Sequence, residues 1–201
     1  MTVQVKASAD NTYGALQVNG VDKLYFGKTG DNLEAVTNST LSGYSQRTLT
    51  AAVATTSGTA IDFTGIPSWV KKITIQFLDV STSGTSNPIV RLGSGSITET
   101  GYISSVTVPS QAAATGGAQF TTGFGFSGQS AANLAIGHMT ITQQSGNTWI
   151  ESTVGCFNGF SITWNGGGKV TLSGALDRIR ITTVNGTDTF DAGSVSLLIE
   201  G

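Results

Sequence analysis

Apolar and polar positions alternate with a period of two along much of this chain, the mark of strands with one face buried. The clearest run is at 72–78. Ile73, Ile75 and Phe77 fall on one side, Thr74 and Gln76 on the other. Far along the chain, Val195, Leu197 and Ile199 alternate with Ser194, Ser196 and Leu198. The segments 134–143 and 147–154 read as two strands joined at Ser145-Gly146, and 177–184 as a strand followed by an Asn185-Gly186 turn. Gly166–Gly168 in "TWNGGGK" read as a hairpin turn, since glycine runs supply the positive φ angles that tight turns need. From Arg47 onward about ten strand candidates follow at intervals of ~8–15 residues, with turn residues between them. No window carries a useful helical stripe of apolar residues. The expected fold is all-β: a jelly-roll-like antiparallel β-sandwich over residues 46–201.

Residues 1–45 follow another rhythm. Their apolar residues come in twos, Val3/Val5, Leu16/Val18 and Leu24/Phe26, separated by turn signals at Asn11, Asn19-Gly20, Gly27 and Gly30. "GALQVNGVDKLYF" reads as a β-hairpin about Asn19-Gly20. A segment of this size buries too little surface to fold unaided. It is therefore expected to be a short extended or β-hairpin anchor, which buries Leu16, Val18, Leu24 and Phe26 against further copies or a partner.

Composition narrows the function classes. Charged residues make up 11 % of the chain, hydrophobic residues 38 %, and the net charge is −2. No basic block exceeds the Lys71-Lys72 pair, which argues against nucleic-acid binding. The one cysteine, Cys156, excludes an intrachain disulfide and reads as a small buried thiol. No apolar run is long enough for a membrane-spanning helix, and the opening residues lack the apolar stretch of a secretory signal.

Candidate chemistry is sparse. His138, the chain's one histidine, lies in a strand pattern without metal-ligand spacing around it, so a strand or interface role is expected. Asp188 and Asp191 form the tightest carboxylate pair, and turn chemistry explains them better than calcium or glycoside chemistry. Trp69 and Trp149 read as core. Trp164, beside the expected glycine turn, is the candidate for an exposed platform on which a glycan could stack. No catalytic set, cofactor site or metal site is expected.

Two stretches point to a family. "DFTGIPSWVKKI" and "TVNGTDTFDAGS", within residues 47–201, resemble a β-rich module of tailed-bacteriophage virion proteins of the tail-fibre and head-decoration type. "GALQVNGVDKLYF" looks like the short shaft or attachment elements that precede such modules. The resemblance implies a non-enzymatic structural protein on the virion surface, assembled in the host cytoplasm. It implies a homotrimer with an outward sandwich knob, attached to other tail or capsid proteins, and in some cases host glycan recognition. The shortness of this chain favours a short tail fibre or adaptor, with capsid decoration (a head spike or cement protein) as the alternative.

Overall fold

The computed structural model describes the backbone of four strands within the first 45 residues, and residues 46–201 apart from 110–115, 132 and 160. The chain divides into two compact units, Met1–Tyr44 and Ser45–Gly201.

The first unit is a four-stranded antiparallel meander. Strands β1 (Val3–Ala7), β2 (Tyr13–Val18), β3 (Val21–Thr29) and β4 (Asn32–Ala35) lie side by side in chain order. The expected hairpin is β2–β3; its turn residues Asn19 and Gly20 lie outside the described residues. The register sets Leu16 opposite Leu24 and Gly14 opposite Phe26, with a bulge between Leu16 and Gln17. The sheet extends past that hairpin on both sides. Val3 stands opposite Val18 and Val5 opposite Leu16 on β1, and Phe26 opposite Ala35 on β4. Directly opposed positions share a face of a pleated sheet, so the paired apolar positions of the sequence fall on one side of this sheet.

The second unit is an antiparallel β-sandwich, with no helix among the described residues. Its strands are β5 (Arg47–Leu49), β6 (Val53–Ala54), β7 (Ala60–Thr64), β8 (Lys72–Thr82), β9 (Pro88–Ser94), β10 (Ser96–Ile97) and β11 (Ile103–Val108). They continue with β12 (Gly116–Phe120), β13 (Phe124–Gly125), β14 (Ala135–Ser145), β15 (Thr148–Phe157), β16 (Thr163–Thr171), β17 (Arg178–Thr183) and β18 (Phe190–Glu200). The small sheet runs β10-β9-β17-β7, with β13 also on β9. The large sheet runs β12-β11-β16-β15-β14-β8-β18-β5, with β6 also on β18. The chain crosses between the sheets repeatedly: β7 to β8, β8 to β9, β16 to β17 and β17 to β18 all change layer.

The alternation in the sequence sets which side chains enter the core. Ile73, Ile75 and Phe77 of β8, Met139 and Ile141 of β14, and Val195, Leu197 and Ile199 of β18 all point inward and are buried. The small sheet answers with Ile61, Val90, Leu92, Ile179 and Ile181. Phe77, Phe124 and Phe126 are buried in the same core, Phe126 edge-on to Phe77 at 5.3 Å. Trp149 is buried as the sequence suggests, and Trp69 packs on the rim of this core, half-buried.

One expectation fails here. Gly166–Gly168 do not form a turn. They lie inside β16, paired to β15 on one side and β11 on the other. A glycine in a strand interior marks a close approach of neighbouring groups. At Gly168 an added Cβ would stand 2.5 Å from the Ile103 carbonyl oxygen and 3.1 Å from the Phe124 ring. A second irregularity lies where β8 meets β18. The register slips around Ala192, Asp79 adopts φ 52° and Gly193 φ 89°. Bulges of this kind add local twist and bend the strand.

Candidate functional site

The site residues named from sequence are dispersed. Trp164 is the main correction: its side chain is fully buried. Because 166–168 continue the strand, Trp164 is not beside a turn, and the pleat turns it inward with Val170. Its indole stacks on Phe126 (4.9 Å between centroids, 19° between planes) and meets Phe157 at 4.9 Å. The ring lies across Gly155 and Gly137, the glycines that face it on β15 and β14; a Cβ at Gly155 would come within 2.1 Å of it. The indole Nε1–H donates to Thr153 Oγ1 at 3.3 Å, and that hydroxyl donates to the His138 carbonyl at 3.3 Å. A tryptophan enclosed in this way offers no surface to a sugar ring. Leu16, Val18, Leu24 and Phe26 belong to the first unit, at the register positions given above.

Asp188 serves turn chemistry. The Asn185 side-chain oxygen accepts from the Thr187 and Asp188 amides, and the Asn185 amide donates to Asp188 Oδ1 at 2.7 Å. Asp188 Oδ2 accepts the Ser86 N–H at 2.9 Å. These bonds, led by that from Asn185, hold the Asp188 carboxyl below the usual carboxylate range. They fasten the β8–β9 connection to the β17–β18 connection. Asp191 is exposed at the start of β18, outside this cluster.

One ionisable group carries no signal in the sequence. Glu151 of β15 points into the core and is 6 % exposed. Its register neighbours are Ile141 and Gly168, and neither carboxyl oxygen has a hydrogen-bond partner. Burial alone pushes its pKa up to about 8. At neutral pH the folded sandwich therefore keeps this carboxyl protonated.

The two outer faces of the sandwich differ. On the small sheet, Asp62, Arg180 and Arg91 stand in one cross-strand row. Arg180 grips Asp62 with two bonds of 2.7 Å, and Arg91 binds Glu99 at 2.6 Å. The Asp62 carboxyl is held low chiefly by its hydrogen bond from Arg180. On the large sheet, the central rows carry no carboxylate, lysine or arginine. One row runs Leu49, Leu198, Thr74, Thr140, Ser152, Gly167 and Ser105; the next runs Ser196, Gln76, His138, Val154, Asn165 and Thr107. One end row is ionic: Lys72 with Glu200 at 2.9 Å, Arg47 with Glu200 at 3.4 Å, and Lys169 between Ile150 and Ile103.

Aliphatics interrupt this polar face. Seven large hydrophobics are exposed among the described residues, and five of them point outward here: Leu49, Leu78, Ile103, Ile150 and Val154. A shallow, open depression of about 460 Å³ lies among Thr74, Gln76, Ile136, Gly137, His138 and Thr140. His138 thus occupies an exposed strand position at the middle of the face. Cys156 is half-buried and shares the face, opposite Ile136 and Thr163. No protein family, curated protein or solved structure matches this chain.

Proposed function

We propose that this chain is a non-enzymatic structural protein of a tailed-bacteriophage particle, a short tail fibre or adaptor. It assembles as a homotrimer at the virion surface, held by its first unit, with the sandwich displayed outward. Capsid decoration is the same reading at another place on the particle. The observation that carries it is the division into a 44-residue unit that holds a four-stranded sheet and a sandwich with its own core. The register of the small unit gathers Val5, Leu16, Leu24 and Phe26 on one face, and a sheet of this size needs further surface to cover that face.

The phage-like stretches support a structural role by where they fall. "DFTGIPSWVKKI" spans the β7–β8 crossing, with Ile66 and Val70 buried, and "TVNGTDTFDAGS" contains the Asn185–Asp188 fastening. Both stretches hold the two sheets together. The glycan-binding alternative loses Trp164, its one named contact.

Light scattering on the full chain tests the reading. The expected mass is three times that of the chain. The double substitution Leu16→Asp and Leu24→Asp should abolish it and leave the sandwich's unfolding transition in place. A wild-type chain that stays monomeric at every concentration would sink the proposal.

A further inference from the structure

We infer that the outer face of the large sheet is a contact surface for a second copy of this chain. The inference rests on the assembly reading above and names a surface that reading does not use.

The distribution of exposed aliphatics carries the argument. Single exposed hydrophobics are ordinary and need no explanation. Here, five of the seven point from one face of one sheet, while the ladder of arginines and carboxylates on the small sheet's outer face has none of them. On the large sheet Ile150 and Val154 stand four residues apart on the same side of β15, with Ser152 between them, and Ile103 follows across Lys169. Leu49 and Leu198 pair at the β5–β18 margin.

Charge selects the occupant. The central rows bear no carboxylate, lysine or arginine. Such a face gives no electrostatic complement to a nucleic acid or a charged peptide. Ionic groups lie toward the strand ends, Arg47, Lys72, Glu200 and Lys169 in one end row and Asp79 and Asp191 at the opposite ends of β8 and β18. An uncharged centre with ionic groups at the margin is how protein–protein contacts are built. Another copy of this chain offers a surface of the same kind, and the assembly reading puts other copies close by.

The dimensions fit as well. Six strands from β18 to β11 span roughly 29 Å at ~4.8 Å each, and seven residues along a strand cover about 23 Å. That is several hundred Å² of sheet surface, near the ~800 Å² that one partner contributes to an interface of standard size. Strand side chains hold this surface in place before contact, so little ordering entropy is lost on association.

Cys156 provides a native probe on the face. The test measures maleimide labelling of Cys156 in the full chain over a concentration series, with mass by light scattering in parallel. Labelling should slow at least tenfold between the dilute and the assembled protein. The double substitution Ile150→Lys and Val154→Lys should raise the concentration needed for assembly at least tenfold and restore fast labelling. Val184→Lys, at an exposed aliphatic outside this face, should behave as wild type. Should the protein assemble while Cys156 labels equally fast at all concentrations, the face is open in the assembly. The inference is then overturned, while the role given to the first unit stands. Should Leu16→Asp/Leu24→Asp leave the mass unchanged while Ile150→Lys/Val154→Lys lowers it, the inference holds and the first unit loses its assembly role. If the lysine variant fails to fold, the wild-type labelling series still decides.

Discussion

Ile150 and Glu151 are consecutive residues of β15, and each stands where the other would be expected. Ile150 faces outward and is 46 % exposed; Glu151 faces the core and is 6 % exposed. Since side chains alternate along a strand, a slip of one residue would exchange them. The fold keeps the costlier arrangement because β15 is held by its other positions. Trp149 and Thr153 are buried on the same side as Glu151, and a slip would expel the tryptophan. Register is thus a collective property of a strand, and individual residues can be carried against their preference. The exposed Ile150 and the buried Glu151 are two products of that one constraint, one open to a neighbour and the other sealed in the core.

The comparison breaks first at the inner anchors. Trp164→Ala removes the ring that spans Gly155 and Gly137 and leaves Phe126 and Phe157 without their neighbour. Chemical denaturation should show a loss of about 3–5 kcal/mol, the usual cost of truncating a buried tryptophan.

Glu151→Gln should act in the opposite direction. The folded-state pKa of this carboxyl lies above its unfolded value, about 8 against 4.5. Below pH 4.5 both states hold the proton and the group costs no ionisation energy. As pH rises from there to 8 the unfolded chain ionises while the folded one does not, so stability falls and then levels off. Glutamine removes that slope. At pH 8 the variant should exceed wild type by a few kcal/mol at most, on the scale of ~1.4 kcal/mol per pKa unit. Two parallel stability–pH curves would show that Glu151 is not the source. The smallest effect belongs to the outer side: Ile150→Thr should change the stability of the dilute chain by less than about 0.5 kcal/mol. A larger loss in urea titrations would mean that Ile150 supports the fold itself.

Much of the sandwich was legible because its strands obey simple alternation. β8 and β18 read correctly residue by residue; the joint between β14 and β15 falls one residue later than read, at Gly146-Asn147, because Ser145 still pairs with Thr148. The Asn185–Asp188 turn was legible because Asx chemistry is local. Two kinds of feature escaped. The glycines of β16 look like a turn when only neighbours in sequence are considered. The reason lies across the sheet and in the facing layer: the Ser105 carbonyl at Gly166, and the Ile103 carbonyl and Phe124 ring at Gly168. Trp164 was misplaced as a direct result. Glu151 escaped because a strand pattern treats any charged residue as outward, and its register partners, Ile141 and Gly168, are ten or more residues away along the chain. Periodicity also says nothing of strand order, so the unequal sheets and the place of β18 could not be read from it.

That place has a consequence for synthesis. β18 lies between β8 on one side and β5 and β6 on the other. A ribosome therefore releases β8 long before the strand that will cover its second edge. From the emergence of Thr82 until that of Phe190, the backbone amides and carbonyls on that edge await partners, and bare edges recruit other chains. The non-local pairing of β5 with β18, sealed by Thr50 donating its N–H to the Leu197 carbonyl at 2.8 Å, is the sort of contact that slows folding. Closure of the large sheet should be a late event, and chains interrupted before residue 190 should aggregate rather than accumulate as folded sandwiches.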